Sequence, residues 1–570
     1  MFTIPHYFLL LFFSCLFISS CSKQSTESPN KREEDGIRLF VNADIVTMNP
    51  SSPSANAMAI SRDRIVAIGS KSDVIEKIGG DFEIHDLSGK TIVPGFFETH
   101  DHLYMSSTIS TLTDISPFYT PTLAKALEKI QHTTPNEEGW IIAFGADQTL
   151  YEEQRGPTRD LLDELFPSTP VMVFHLSGHG GFANSEALKM AGIDESTPNP
   201  TGGFYEKNDQ GKLTGYLSGQ PALFSVKTYP NPTPDTAMSA ALQRAEKGIT
   251  TSSELGIMNV TVLEGLQQAT SDPSFPVRVI GGYFSTAPDF KEIAPRLKDY
   301  ETNLLKIPFI KTWTDGSLQG GTAHLSQGYF TKDFGEDGAQ GTQEYFNELV
   351  LDIYQRGYWP AIHANGDGAV DIALDAIEYA THTLGDKPGK NIRPQIIHAK
   401  VTREEQVKRM AKLNASPTFF TTHVYYWGDL HYEKTLGAER AERLSAMADG
   451  FKYGVSPSMH NDPPVSPVDP LLNMWISVER KSQSGRVLGM NQAISPEQAL
   501  EAYTTNAAYQ FGMENDAGSL EIGKFADFVV LDKNPLKVEP DSIRNIRILT
   551  TVRGGNITFG DLSNSDKINQ

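Results

Sequence analysis

Residues 93–102 read Val93-Pro94-Gly95-Phe96-Phe97-Glu98-Thr99-His100-Asp101-His102, so an apolar run passes directly into two histidines separated by one residue. Successive side chains of a β-strand point to opposite faces. His100 and His102 would therefore share a face, within reach of one metal ion. A His-x-His pair alone is weak evidence, because a histidine that simply packs in a core is the commoner explanation. Residues elsewhere in the chain must therefore decide whether these two histidines bind a metal ion.

Seven more apolar, strand-like runs follow, and amphipathic helical stretches such as 344–356, 370–382 and 402–412 lie between them. Eight continuous apolar strands that alternate with helices predict a parallel (β/α)8 barrel and an α/β fold class. The seven further runs are Ile249–Leu255, Val277–Tyr283, Phe309–Thr314, Trp359–His363, Pro394–His398, Ala415–Phe420 and Tyr453–Met459.

Short strand-like runs also occur at both ends of the chain. They predict a β-sandwich built from residues 37–94 together with 516–560, which leaves residues 95–515 for the barrel. Residues 104–235 are too many for one barrel loop and contain strand-like runs of their own, such as Trp140–Phe144 and Val171–His175. This stretch is predicted to form an inserted α+β subdomain over the barrel mouth.

The amino terminus resembles an export signal. Phe8–Ile18 is a short apolar run, and Ser19-Ser20-Cys21 and a polar stretch follow it. We expect a signal peptide over residues 1–20 and a flexible tether over 21–36. The small residues before Cys21 resemble a bacterial lipobox, which predicts that Cys21 carries a lipid. The lipid would anchor the protein to a membrane of the cell envelope, either facing the periplasm or at the outer membrane. The alternative is an ordinary cleaved signal, since no Lys or Arg precedes the run.

The overall composition limits the function classes. Hydrophobic residues make up 39% of the 570, with 30 Phe and 20 Tyr, which supports a large packed core and disfavours disorder or coiled coil. Lys plus Arg total 49 against 70 Asp plus Glu, a net charge of −21 that disfavours a nucleic-acid partner. Both Cys lie within the first 21 residues, so the folded body has no disulfide or thiolate chemistry.

Polar residues collect where the predicted barrel strands end, which is where barrel enzymes place their chemistry. His363 and His398 end two further runs, so three strand ends carry histidine. Asp462 follows the last run and could be a ligand, a base or a turn acid; the neighbouring histidines favour a functional role. Lys311 lies inside an apolar run. Its side chain either extends so that the amine reaches solvent, or stays buried with its charge paired or chemically altered. A lysine carboxylated by carbon dioxide, for example, could bridge two metal ions.

This ordered set of residues resembles the amidohydrolase superfamily, and within it the YtcJ-like (amidohydrolase-3) branch near N-substituted formamide deformylases. The resemblance covers about residues 37–559 and implies a distorted (β/α)8 TIM barrel with a β-sandwich made from both termini. Its landmarks are residues 93–102, Asp315-Gly316-Ser317-Leu318, His363-Ala364-Asn365-Gly366-Asp367 and Gly518–Asp532.

The resemblance implies a site for one or two divalent ions. Zinc suits imidazole and carboxylate ligands, with manganese or iron as alternatives. Asp462 would serve as general acid and base. The implied metal ligands are His100, His102, Lys311, His363, His398 and Asp462.

Two histidines are candidates for substrate contact. His179 lies in a Gly-rich segment of the predicted insertion and would either bind substrate or fix its own loop, and His423 would either line the pocket or pack with aromatic neighbours. His324 and His460 are interpreted as ordinary loop residues. The chain also departs from the family at 319–323, Gln-Gly-Gly-Thr-Ala, where many relatives carry an arginine that suits anionic groups.

The sequence therefore predicts a metal-dependent hydrolase that cleaves a carbon–nitrogen bond in a small amide, formamide or cyclic imide. One alternative is an esterase, lactonase or phosphoesterase that uses the same site. Another is a lipid-anchored binding protein with a structural metal. Six candidate ligands without Cys favour an open, catalytic site, because structural zinc sites are closed and usually rich in Cys.

Overall fold

The computed structural model describes residues 36–200, 202–332, 334–335, 337–385 and 392–562. The predicted signal peptide, Cys21 and the predicted tether up to residue 35 lie outside the described residues. Within the described ranges, no helix is both long enough and apolar enough to cross a membrane.

The central feature is a sheet of eight strands in which every neighbouring pair is parallel. We number these barrel strands one to eight in chain order. The barrel is nearly closed, and the Thr99 hydroxyl after the first strand contacts Ser458 Oγ at 3.1 Å and the Met459 carbonyl at 3.3 Å in the eighth. The strands are Phe96–Glu98, Ile249–Ile257, Arg278–Phe284, Leu305–Trp313, Trp359–Ala364, Gln395–His398, Ser416–Phe419 and Ser458–Met459.

Most predicted strands lie within two residues of the observed ones, but the fourth begins four residues earlier than predicted, at Leu305, and the last is much shorter. Tyr453–Met459 was expected to be one run, but only Ser458 and Met459 are strand, and the helix Met447–Lys452 reaches almost to Tyr453. Gly454 has a φ of 66°, which turns the chain after the helix, and Pro457 cannot donate a backbone hydrogen bond to a sheet. Local turn chemistry therefore overrides the apolar pattern here.

Helices surround the barrel and bury one face each. Gln343–Gln355, for example, begins at Thr342, whose side chain accepts a hydrogen bond from the Tyr345 amide, and it buries Phe346 and Val350. Such caps satisfy amide groups that a helix start leaves free. In the described ranges, the helices of eight or more residues are Lys71–Ile78, Leu123–Gln131, Pro234–Glu246, Val260–Ser271, Gln343–Gln355, Asp367–Leu384, Glu404–Leu413, Pro470–Glu479 and Pro496–Tyr503.

Both ends of the chain contribute to a second sheet of eight strands. Phe528–Leu531 pairs antiparallel with Thr91–Pro94, which leads directly into the first barrel strand. This pairing ties the carboxyl-terminal segment to the entry of the barrel. The division into two packed sheets and the domain limits stay predictions. The strands are Ile37–Val46, Ser54–Ser61, Arg64–Gly69, Phe82–Asp86, Thr91–Pro94, Phe528–Leu531, Ile548–Arg553 and Asn556–Gly560.

A third sheet, of six strands, forms between the first and second barrel strands. Its apolar residues Phe144 and Phe174 share one core cluster with Phe420 and Trp427, which follow the seventh barrel strand. The sheet therefore packs against loops at the carboxyl ends of the barrel strands, while the limits 104–235 stay a prediction. Its strands are Thr113–Asp114, Ile141–Ala146, Val171–His175, Gly180–Ala183, Phe204–Lys207 and Leu213–Ser218.

Candidate metal centre

His100 and His102 follow the first barrel strand, and both lie close to the carboxylate of Asp462. His100 Nε2 lies 3.3 Å from Asp462 Oδ1, and His102 Nε2 lies 3.6 Å from the same oxygen. Asp462 follows the eighth strand, so contacts with it join the two strands at which the barrel closes. Burial holds the pKa of His100 well below its usual range, and the charge of Lys311 lowers it further. This imidazole is therefore neutral.

The fifth and sixth strands bring His363 and His398 to the same place. His398 Nε2 lies 2.9 Å from His363 Nδ1, and His398 Nδ1 lies 3.8 Å from Asp462 Oδ2. Burial lowers the pKa of both rings well below the ordinary value, with cationic neighbours adding to the effect. Neutral imidazole is the form that binds metal ions.

Ligand atoms of three of these side chains meet closely enough to share an ion. One ligand atom each from His100, His398 and Asp462 lies within 4.8 Å of the others, and all three side chains are buried. Within the part of the chain that the structure describes, Asp462 Oδ1 and His100 Nδ1 also have no hydrogen-bond partner. Buried polar atoms without partners are costly, so a divalent cation held by imidazole and carboxylate fits these residues.

Lys311 reaches this cluster from the fourth strand. The residue is 3% exposed, and its Nζ has no hydrogen-bond partner among the described residues. Burial lowers the pKa of Lys311 to about 7, although the charge of Asp462 opposes the shift. The amine does not reach solvent, so the snorkelling interpretation is wrong. A buried, partly neutral amine is the form that could react with carbon dioxide.

Two of these candidate ligands sit on unfavourable backbone. His398 has a φ of 72° and Asp462 a φ of 54°, the left-handed region that side chains other than glycine rarely adopt. Residues held in this region cost about 1–3 kcal/mol each and occur preferentially at functional sites. The surrounding fold therefore holds these two residues in a strained backbone conformation.

Buried charged groups behind the first strand fix its histidines. Asp101 accepts two hydrogen bonds from Arg244, at 3.0 and 2.8 Å, and one from Ser252 Oγ at 2.6 Å. Glu254 Oε1 lies 3.8 Å from His102 Nδ1. Burial alone would lower the pKa of His102, but the nearby carboxylates of Glu254 and Asp462 raise it above the ordinary value. Arg244 and Glu254 thus orient the His-x-His segment.

Asp315, part of a sequence landmark, has a structural role. Its carboxylate accepts backbone hydrogen bonds from Asn365 at 2.9 Å, Gly366 at 2.8 Å and His324 at 3.0 Å. Burial nevertheless raises the pKa of Asp315 to about 7. The contacts join the loops after the fourth and fifth strands, which places the chain around His363.

His460 was interpreted as an ordinary loop residue, and the structure corrects this. Its ring is fully buried, with Nε2 3.0 Å from His398 Nδ1 and Nδ1 3.1 Å from Thr418 Oγ1. His460 directly follows the eighth strand, so the rule that singled out the other strand-end histidines also applied to it. His324 lies in a loop, 2.6 Å from Asp337 Oδ1, in agreement with its interpretation.

The two predicted substrate-contacting histidines lie in different surroundings. His179, from the loop before Gly180–Ala183, has its ring centroid 6.1 Å from that of His363, and its enclosed position lowers its pKa to about 4. His423 is fully buried and stacks on Trp427 with centroids 4.4 Å apart. This aromatic packing agrees with the alternative interpretation of His423, while its Nε2 has no hydrogen-bond partner among the described residues.

Sequence reasoning did not single out Lys400, a second buried amine near the site. Burial lowers its pKa to about 7, and its charge helps to lower the pKa values of His363, His398 and His460. The sequence feature that could have identified Lys400 is its position, two residues after a strand-end histidine in the loop that leaves the sixth strand.

A parallel eight-stranded barrel with neutral histidines and a carboxylate at the carboxyl ends of its strands defines the class of metal-dependent barrel hydrolases. The profile of the amidohydrolase family matches residues 83–559. This chain therefore belongs to the amidohydrolase family.

Individual relatives are distant but match along nearly their whole length. An N-substituted formamide deformylase from Arthrobacter pascens is 26% identical over 545 residues, which covers 91% of this chain and 98% of the relative. A Bacillus subtilis (strain 168) protein named "Putative amidohydrolase YtcJ" is 28% identical over 535 residues, 90% of this chain and 98% of its own.

A solved structure shows the same fold. The chain resembles an uncharacterized metal-dependent hydrolase from Pyrococcus horikoshii with a TM-score of 0.70 and 24% identity, covering 89% of this chain and 99% of that one. The barrel fold predicted from the sequence is confirmed.

Proposed function

We propose that this chain hydrolyses a carbon–nitrogen bond in a small non-peptide amide, formamide or cyclic imide. The observation that carries the proposal is the convergence of His100, His398 and Asp462 ligand atoms within 4.8 Å. The choice of a carbon–nitrogen bond is supported by the deformylase from Arthrobacter pascens, a relative that acts on N-substituted formamides by name.

In the proposed site, the predicted ligand set holds one or two divalent ions. Zinc suits the imidazole and carboxylate donors, and Lys311 would join the set as a carboxylated amine. When bound, such an ion lowers the pKa of water toward neutrality and polarises the scissile carbonyl. The proposed ligands are His100, His102, Lys311, His363, His398 and Asp462.

Asp462 is the proposed proton carrier. Its carboxylate accepts a proton from the water whose oxygen attacks the carbonyl carbon. When the carbon–nitrogen bond then breaks, Asp462 delivers that proton to the leaving nitrogen. The products are a carboxylic acid and an amine from an amide or formamide, and one ring-opened acid amide from a cyclic imide. His179, whose ring centroid lies 6.1 Å from that of His363, would orient the substrate from the inserted sheet.

A hydrolysis screen tests the proposal. The panel contains N-acyl amines, formamides and hydantoins, with esters, lactones and phosphoesters for comparison. We expect the purified, zinc-loaded protein to release amine from an N-acyl amine or a formamide, or to open the ring of a hydantoin to its N-carbamoyl acid. The Asp462→Asn variant, purified in the same way, controls for contaminating hydrolases. Activity confined to esters, lactones or phosphoesters would refute the carbon–nitrogen assignment, and inactivity on the whole panel would favour a binding protein.

We also propose that the protein is exported and attached to the cell envelope through a lipid on Cys21. The basis is the apolar run Phe8–Ile18 and the small residues that precede this cysteine. The full-length Cys21→Ser variant, expressed in a bacterium, is expected to lose lipid labelling and to leave membranes in a salt wash. Cys15→Ser is the matched control and should stay attached. Unchanged attachment of Cys21→Ser would contradict the lipid anchor.

A further inference from the structure

A row of buried polar side chains extends from the candidate metal centre into the barrel. His398 Nδ1 lies 3.0 Å from His460 Nε2, and His460 Nδ1 lies 3.1 Å from Thr418 Oγ1. Thr418 Oγ1 in turn lies 2.7 Å from Thr99 Oγ1, which contacts Ser458 Oγ at 3.1 Å. All five residues are 3% exposed or less, so their polar groups depend on one another for hydrogen bonds.

Gln510, at the end of the helix Thr505–Gln510, fixes the direction of these hydrogen bonds. Its side-chain nitrogen donates to two backbone carbonyls, Pro417 O at 3.0 Å and Ser456 O at 2.8 Å. The amide oxygen of Gln510 therefore faces Ser458 Oγ, at 2.9 Å, and this oxygen can only accept. The single proton of Ser458 is thus committed to Gln510. The members of this hydrogen-bond row are Thr418, Thr99, Ser458 and Gln510.

The other protons of the hydrogen-bond row follow from this fixed end. Thr99 Oγ1 faces the Ser458 oxygen and, at 3.3 Å, the Met459 carbonyl, and both of these accept, so the Thr99 proton points to them. Thr418 must then supply the proton for its contact with Thr99. Because the Thr418 proton is used in this way, His460 Nδ1 donates to Thr418 Oγ1.

His460 transmits this direction to the proposed metal ligand His398. Burial lowers the pKa of both rings well below the ordinary value, so each ring carries one N–H. With its proton on Nδ1, His460 accepts at Nε2, and His398 Nδ1 therefore donates to it. The lone pair of His398 then lies on Nε2, the atom that is 2.9 Å from His363 Nδ1 in the ligand cluster.

We propose that the members of the hydrogen-bond row are positioning residues, which hold His460, and through it His398, in the orientation that binds the metal ion. The inference rests on the proposed role of His398 as a metal ligand. A ligating imidazole that donates its other N–H to a fixed partner is held in one tautomer and one ring orientation. Thr99 follows the first barrel strand and Ser458 lies in the eighth, so the contacts that close the barrel also orient a metal ligand.

The zinc affinity of Thr418 variants tests the proposal. Thr418→Val keeps the shape of the side chain but removes the hydroxyl that accepts from His460. We expect its zinc Kd, measured by competition with a chelator, to rise about 10-fold, the lower end of the range for outer partners of a metal ligand, because Thr418 acts through His460. Thr418→Ser restores the hydroxyl and should bind zinc as tightly as the wild type.

Thr250→Val is the matched control for the loss of a threonine hydroxyl. Thr250 is fully buried in the second barrel strand, and its Oγ1 has no hydrogen-bond partner among the described residues, so this variant should keep the wild-type Kd. The Tm of each protein is measured first, and zinc binding is compared where all four are folded. An unchanged Kd in Thr418→Val would overturn the proposal. A Thr418→Ser protein as weak as Thr418→Val, or a Thr250→Val protein weakened equally, would do the same.

A measurement on the wild type decides the proposal even if Thr418→Val does not fold. Nitrogen NMR of zinc-loaded protein with isotope-labelled histidine shows which ring nitrogen of His460 carries the proton, and the signals are assigned by their loss in His460→Gln. We expect the proton on Nδ1; a proton on Nε2 alone would overturn the proposal. Zinc binding without hydrolysis of any substrate would refute the proposed reaction only, whereas a wild type that binds no zinc would overturn the metal centre and this proposal together.

Discussion

Replacing Asp462 by Asn is expected to lower kcat by about 10³-fold or more, within the range that a general acid–base group contributes. The change keeps the size and shape of the side chain, but an amide oxygen cannot take up a proton at neutral pH. Asp462 Oδ1 lies 3.3 Å from His100 Nε2, so the variant still places an oxygen at the imidazole cluster. We therefore expect the metal content of the purified variant to stay close to that of the wild type.

The measurement combines steady-state kinetics, on a substrate that the wild type hydrolyses, with elemental analysis of both proteins. Asp299→Asn is a matched control, since Asp299 is 62% exposed and contacts only Arg296, at 3.2 Å, among the described ion pairs. This variant should retain full activity. A fully active Asp462→Asn protein would rule out the proton-carrier role. An inactive variant without metal would show that Asp462 acts chiefly as a ligand.

The barrel was predictable because its strands are buried on both faces. Such strands appear as continuous apolar runs, and Trp359–His363 and Pro394–His398 differ from the observed strands by one residue at one end. The short strand Phe82–Asp86 was missed because its residues are partly exposed and carry little apolar signal. The last barrel strand was overestimated because turn residues end an apolar segment without changing its hydrophobicity.

The candidate metal residues were predictable for a different reason. A histidine at the end of a parallel strand has few places to point except the common rim of the barrel, so position in the chain implies position in space. Lys311 followed the same logic, since its run is strand and its neighbours are apolar. His460 met the criterion as well, but the prolines on both sides of it, Pro457, Pro463 and Pro464, indicated a simple turn.

The surroundings of His423 and Lys400 could not be obtained in this way. Both depend on how Phe420, Trp427 and the inserted sheet pack together, and these contacts join residues that are hundreds of positions apart. Periodicity describes one element at a time, whereas a pocket between loops depends on the relative placement of several. The inserted sheet could therefore be expected over the barrel mouth without showing which side chains it would enclose.

Removal of the metal is expected to lower kcat by about 10³-fold or more, because activation of water at neutral pH depends on the ion. We also expect the Tm to fall. Without an ion, Asp462 Oδ1 and His100 Nδ1 stay buried with no hydrogen-bond partner in the described ranges of the chain, and each such atom costs about 1–3 kcal/mol. The wild-type protein should contain one to two divalent ions per chain by elemental analysis.

The decisive comparison is between metals that are added back after chelation. Zinc is expected to restore both turnover and Tm, because neutral imidazoles such as His363 and His398 are good ligands for it. Magnesium, which prefers oxygen ligands and retains its waters, should restore neither and serves as the matched control. A metal-free preparation with wild-type turnover would refute the mechanism. Equal recovery with magnesium would mean that the buried imidazoles, held 2.9 Å apart at His363 and His398, do not act as ligands.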